Sequence, residues 1–177
     1  MSLPSNYQWQ IEQNGFAIVN EVISHSEIEL LRQAIMDIPA GEEVRSKKYV
    51  YGVRNLLELS AQVRLVAGSS TIRKFVEPVL GTNCFAARAT FFDKVPGANW
   101  NLRLHQDSVI SVRQRIEAEG FSAWSEKAGV TQVRPPESIL KHMLAVRIHL
   151  DECLKDNGAL RILAGSHGQR WAREQMP

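Results

Sequence analysis

Met143-Leu144-Ala145-Val146-Arg147-Ile148-His149-Leu150 and, beyond a turn, Ala159-Leu160-Arg161-Ile162-Leu163 are the two runs on which the fold reading turns. Both are rich in β-branched and aliphatic residues, and Asp156-Asn157-Gly158 between them is a strong hairpin signal. Residues 143–163 therefore read as antiparallel strands. Working upstream, Asn101 to Val112 reads as another strand, centred on His105. Before it, Phe85-Ala86-Ala87-Arg88-Ala89-Thr90-Phe91-Phe92 is strand-like and is turned by Pro96-Gly97. Arg113 to Ser138 breaks the pattern: it is polar and carries Gly120, Gly129 and Pro135-Pro136. It reads as a long insert over a site, of the kind that often forms a lid or binding loop.

The N-terminal half is different. Gly15-Phe16-Ala17-Ile18-Val19 is a short strand-like run, and Ser24-His25-Ser26-Glu27 is a capping box. Ile28, Leu31, Ile35 and Ile38 then follow at helical spacing until Pro39-Ala40-Gly41 stops the helix. A second helix is predicted from about Ser70 through Leu80, closed by Gly81. Helices followed by antiparallel strands define an α+β, mainly β, domain built on a sandwich or roll. The whole of 1–177 reads as one domain, with a helical part over about 1–83 and a strand core over about 84–177 that contains the 113–138 insert. Only five or six strands can be counted, against the eight of a complete jelly roll, so the roll is expected to be incomplete.

Composition excludes several classes. The net charge is +2, from 21 Lys+Arg against 19 Asp+Glu, too small to attract a polyanion such as a nucleic acid. Arg45, Lys47 and Lys48 form the nearest thing to a basic cluster and read as a solvated loop. Cys84 and Cys153 are far apart in no metal-binding pair, as reduced thiols would be. Met1-Ser2-Leu3-Pro4-Ser5-Asn6 reads without a basic n-region or an apolar h-region, and no run nears the ~20 apolar residues of a membrane span, so a cytoplasmic protein with no membrane partner is expected.

The chemistry centres on His105-Gln106-Asp107. Residues two apart on a strand project from one face, so the imidazole and the carboxylate can converge on one ion while Gln106 points the other way. One further His would complete the 2-His-1-carboxylate set of non-haem Fe(II) oxygenases, which leaves positions open for a keto acid and O2. A lone His-x-Asp recurs by chance; its surroundings narrow it.

Those surroundings are Arg88-Ala89-Thr90-Phe91-Phe92-Asp93-Lys94, Leu104-His105-Gln106-Asp107, Gly120-Phe121-Ser122-Ala123-Trp124-Ser125, Val133-Arg134-Pro135-Pro136, Arg147-Ile148-His149-Leu150-Asp151 and, above all, Asp156-Asn157-Gly158-Ala159-Leu160-Arg161-Ile162-Leu163-Ala164-Gly165-Ser166-His167. In this order, over roughly Gly15 to Arg170, they resemble the phytanoyl-CoA dioxygenase family. The resemblance implies a double-stranded β-helix (a cupin-like jelly roll), Fe(II), 2-oxoglutarate as co-substrate, and hydroxylation of a small organic substrate with release of succinate and CO2. Position by position it gives His105 and Asp107 as the first two iron ligands. Leu104 stands where close relatives often have Trp, and Ala164 where Pro is usual. The family's third ligand, a His, and the Arg that pairs with 2-oxoglutarate lie on later strands, whereas this sequence ends at Pro177. A fragment of a longer enzyme with an incomplete site is the expectation that follows.

Among the other histidines, His25 belongs to the first turn of a helix and His142 to the insert region. His149 shares a strand face with Arg147 and is the weak candidate for a third ligand, against a strand His satisfied by hydrogen bonds. His167 reads as structural. For the co-substrate, Arg88 shares a face with Thr90, and its guanidinium can fork onto a carboxylate; the competing reading is a surface Arg. Phe121 and Trp124 read as residues packing the insert onto the core rather than as a substrate cover. The insert's charges are mixed (Arg113, Arg115, Lys127 and Arg134 against Glu117, Glu119, Glu126 and Glu137), so an anionic substrate is not favoured. Two rival readings stand beside the enzyme: a catalytically inactive binding or assembly module of the same descent, and a jelly-roll ligand-binding domain without metal chemistry. In each case open sheet edges predict self-association into a homo-oligomer.

Overall fold

The computed structural model describes residues 6–41, 44–46, 50–94, 103–127, 129–154 and 158–169. The basic cluster at Lys47 and Lys48, the Pro96-Gly97 turn and the Asp156-Asn157 half of the hairpin turn lie outside them.

The helical part opens with α1 (Asn6–Asn14), ended by Gly15 at φ 82°, whose N–H returns to Ile11 O at 2.9 Å. In α2 (His25–Met36) the predicted capping box is formed: Glu27 N–H donates to Ser24 Oγ at 3.3 Å and Ser24 N–H to the Glu27 carboxylate at 2.9 Å. Leu31 and Ile35, one turn apart, are its buried residues. Two short helices follow, α3 (Leu56–Leu59) and α4 (Ala61–Ala67), then α5 (Ser70–Leu80), closed by Gly81 at φ 85° as predicted. Pro78 lies inside α5 and has no N–H, which leaves the Lys74 carbonyl without its helical donor. The Tyr7 hydroxyl of α1 donates to that carbonyl at 3.1 Å, and the Tyr7 ring meets Phe75 edge to face at 5.2 Å. A proline-made vacancy thus sets where α1 docks.

Two three-stranded antiparallel sheets accompany the helices. The first orders β1 (Val44–Ser46), β2 (Val50–Val53) and β3 (Phe91–Phe92) side by side, with Val53 opposite both Val44 and Phe91. Val53 is fully buried with Ile35 of α2 and Leu56 of α3, and Ile38, Val63, Ala89, Phe91 and Leu150 pack around them. The second orders β4 (Ile110–Val112), β6 (Val130–Arg134) and β5 (Ser122–Lys127). Ile110 faces Val133, which is completely buried. After β6 comes α6 (Glu137–Leu140), and Ser166–Gly168 forms one 3-10 turn.

The α+β mixture of the expectation is present, with all five early helices before residue 84. A closed jelly roll is not what the described residues display. Residues 113–138, expected as a long insert over a site, instead supply β5, β6 and the start of α6; β6 is paired on both edges, between β4 and β5, and its Gln132 and Val133 are buried. Conversely, Gly15–Val19, 85–90, 143–150 and 159–163, expected as strands, carry no ladder pairing among the described residues. Alternation marks which face of a segment is apolar; it does not supply a neighbour to bond. Ile18, Phe85, Val146, Leu160 and Ile162 of these segments are exposed. No described helix is long and apolar enough to cross a membrane.

Candidate metal centre

Residues 103–109, expected as part of a strand from Asn101 to Val112, carry no ladder pairing among the described residues, and strand structure begins only at Ile110; His105 Nε2 stands 3.9 Å from the Asp107 carboxylate. Both are open to solvent, at 55% and 82% exposure, so an ion could reach them directly. His105 Nδ1 sits 2.9 Å from the carbonyl of Arg103. A carbonyl only accepts, so in the neutral ring the proton resides on Nδ1 and the lone pair on Nε2, which faces Asp107. With bonds of about 2.1 Å, two ligands cis to each other on one ion stand about 3 Å apart, so this pair would have to close by about 1 Å to share an ion. The nitrogen–oxygen set and the prepared tautomer fit Fe(II). Among the described residues no group of three or more His, Cys, Asp or Glu side chains is assembled, so a third protein ligand is not brought to the pair there.

Gln106 Nε2 donates to Ser166 O at 2.9 Å and to Gln169 O at 2.7 Å. His167 turns from that same loop to α1, where its Nε2 donates to Glu12 O at 3.1 Å. This is the structural role read for it in the sequence. His142 bonds the Ser138 carbonyl of its own helical turn at 2.8 Å, and His25 opens α2 on the surface. His149 and Arg147 are both exposed, and His149 is in no metal-suited group among the described residues. Arg88 is exposed and Thr90 half-buried, at the entry to β3. In the second sheet, Arg115 lies over the Trp124 ring at 5.4 Å, which engages that side chain within the sheet region.

One cluster was missed in the sequence. Arg32 of α2 forms an ion pair with Asp151 and donates to Leu150 O at 3.1 Å, while Glu29 stands 3.6 Å from its guanidinium. Asp93, just past β3, is close enough to feel both. Burial, and next the Asp151 carboxylate, push its pKa up, and Arg32 pulls it down. Asp93 and Asp151 each close a strand-like run, a usable signal, but nothing in the sequence named Arg32 as the cation between them.

The sum is one imidazole and one carboxylate two residues apart, facing each other across 3.9 Å on an α+β domain. The family model for phytanoyl-CoA dioxygenase (PhyH) matches residues 11–177, and the chain belongs to that family. No curated protein and no solved structure matches it.

Proposed function

We propose that this chain is an Fe(II)- and 2-oxoglutarate-dependent dioxygenase that hydroxylates a small organic substrate, on a cupin-like jelly-roll frame. Family membership over residues 11–177 is the observation that carries the reading. The facing of His105 Nε2 and Asp107 across 3.9 Å supports it locally. In this reading His105 and Asp107 hold the metal, and the Asp107 carboxylate lowers the net charge of the site. Arg88 forks onto the distal carboxylate of 2-oxoglutarate with the Thr90 hydroxyl beside it, a pairing that rests on residue type and shared face. His149 or a second chain supplies the third nitrogen. Bound Fe(II) with 2-oxoglutarate supplies the oxidising chemistry that replaces a C–H bond by C–OH.

Self-association belongs to the same proposal. Exposed apolar side chains at Val146, Leu160 and Ile162, on segments without ladder partners among the described residues, offer edges that a second copy can pair.

Anaerobic titration with Fe(II) and 2-oxoglutarate tests the reading. A visible charge-transfer band that grows with 2-oxoglutarate and is lost in His105→Ala is the expected result. Absence of the band in the unsubstituted chain, or its persistence in His105→Ala, would sink the assignment and favour the inactive binding module.

A further inference from the structure

We infer that Gln106 is a positioning residue for the His105–Asp107 pair, acting through the Gly165–Gln169 turn; this rests on the reading of His105 and Asp107 as metal ligands. The segment carrying the pair has no ladder bond among the described residues, so backbone pairing does not fix its rotation. The Gln106 side chain ties it down. One amide nitrogen spends both its hydrogens, on Ser166 O at 2.9 Å and on Gln169 O at 2.7 Å. Because residues 105 and 107 flank 106 directly, anchoring the Gln106 side chain to the turn limits how the backbone that bears both ligands can rotate.

The anchor is itself held. Gly165 N–H donates to Asn14 O at 2.9 Å, and His167 reaches Glu12 O at 3.1 Å, so two bonds hold the turn against the last turn of α1. Gly15 lets the His167 ring approach: a Cβ there would stand 2.5 Å from its Nδ1. Only a side chain with two adjacent donors and the reach of glutamine meets both carbonyls. Glutamate has the shape but no donor, and its charge would face two carbonyl oxygens. The chain of contacts therefore runs from α1 through the turn and Gln106 to the two ligands. Outer partners that orient metal ligands commonly change metal affinity by about 10–100-fold when removed.

The test is Mn(II) binding to the full chain, followed by the loss of the free-ion electron paramagnetic resonance signal. It compares the unsubstituted protein with His105→Ala, Gln106→Ala and Gln106→Glu. Ser24→Ala, which weakens a helix cap away from this segment, serves as the stability control. The expected pattern is binding that His105→Ala abolishes, that both Gln106 variants weaken by about tenfold or more, and that Ser24→Ala leaves unchanged, with circular dichroism unaltered. Faster amide exchange at Gly165 in the Gln106 variants is expected alongside. If His105→Ala abolishes binding but folded Gln106→Ala or Gln106→Glu binds as tightly as the unsubstituted chain, the positioning role is wrong and the metal reading stands. A matching weakening in Ser24→Ala would likewise overturn it, since general destabilisation would then explain the loss. No Mn(II) binding by the unsubstituted chain overturns both.

Discussion

At the scale of single residues, the backbone at Gly15 and the carboxyl of Asp93 carry the sharpest consequences. Gly15 combines a left-handed φ of 82° with the His167 ring where a Cβ would lie. Either feature alone disfavours a side chain. Gly15→Ala is therefore expected to cost at least about 1 kcal/mol of stability, measured as a lower urea midpoint; an unchanged midpoint would mean the turn moves away freely. Asp93 is held above the ordinary carboxyl range by burial first and by Asp151 second. At low pH both folded and unfolded chains carry it protonated, and it contributes no difference. As pH rises past the unfolded value near 3.9, the unfolded chain ionises first, so the folded state loses stability until Asp93 itself ionises. Asp93→Asn should raise the urea midpoint at neutral pH, with the gain shrinking as pH falls below about 4. A lower midpoint at neutral pH would show instead that the attraction to Arg32 outweighs burial.

Elements in this protein are fixed at their ends more than along their lengths. The α2 start is closed by the Ser24–Glu27 box, and Ser24→Ala should cost about 1 kcal/mol, checked by chemical denaturation. The Glu27 carboxylate is held below its usual range chiefly by the Ser24 hydroxyl, then by the Ser24 N–H. Its share of the cap is present above the unfolded carboxyl pKa and is lost as pH falls through the lowered folded value. The far side of α2 is tied by Arg32 to Leu150 and Asp151, a link of 118 residues in sequence for the carbonyl bond. Because Arg32 and Asp151 are both well exposed, the pair contributes little stability and chiefly fixes the placement of residues 150–151. Arg32→Ala is thus expected to change the unfolding free energy by no more than about 1 kcal/mol while loosening 150–151 in amide exchange. A large loss of stability with no change in exchange there would contradict that division. Between α1 and α5 the same economy holds: the Tyr7 hydroxyl occupies the carbonyl that Pro78 leaves without a donor.

At the largest scale the deciding fact is how few side chains are fully inside among the described residues. Ile35, Val53 and Leu56 make the central cluster, and Val133 is buried separately in the second sheet. A small core concentrates stability, so Leu56→Ala should cost about 2–5 kcal/mol and unfold the first sheet and α2 together in a single transition. Against that core stand exposed aliphatic and aromatic residues from Ile18 to Leu163, among them Phe85 at 83% and Leu65 at 68%. Sedimentation at micromolar concentration is expected to give a multiple of the 19.9 kDa chain mass, and one species at that mass would remove the proposed self-association.

The sequence by itself determined the items that local chemistry encodes. Those are the α2 cap and its stripe, the α5 limits with Gly81, and the family. Each depends on neighbours within a few residues, or on an ordered series of motifs, and both are written in one dimension. Only the tertiary structure decided the rest. It found sheet partners for 122–134 inside the expected 113–138 insert, and gave none among the described residues to 143–150, since alternation encodes a face and not a neighbour. It placed Arg32 between Asp93 and Asp151, and His167 against Gly15. Those pairs lie from 61 to 152 residues apart, and the free energy that selects them comes from burial and charge compensation in the assembled chain, which no local pattern carries.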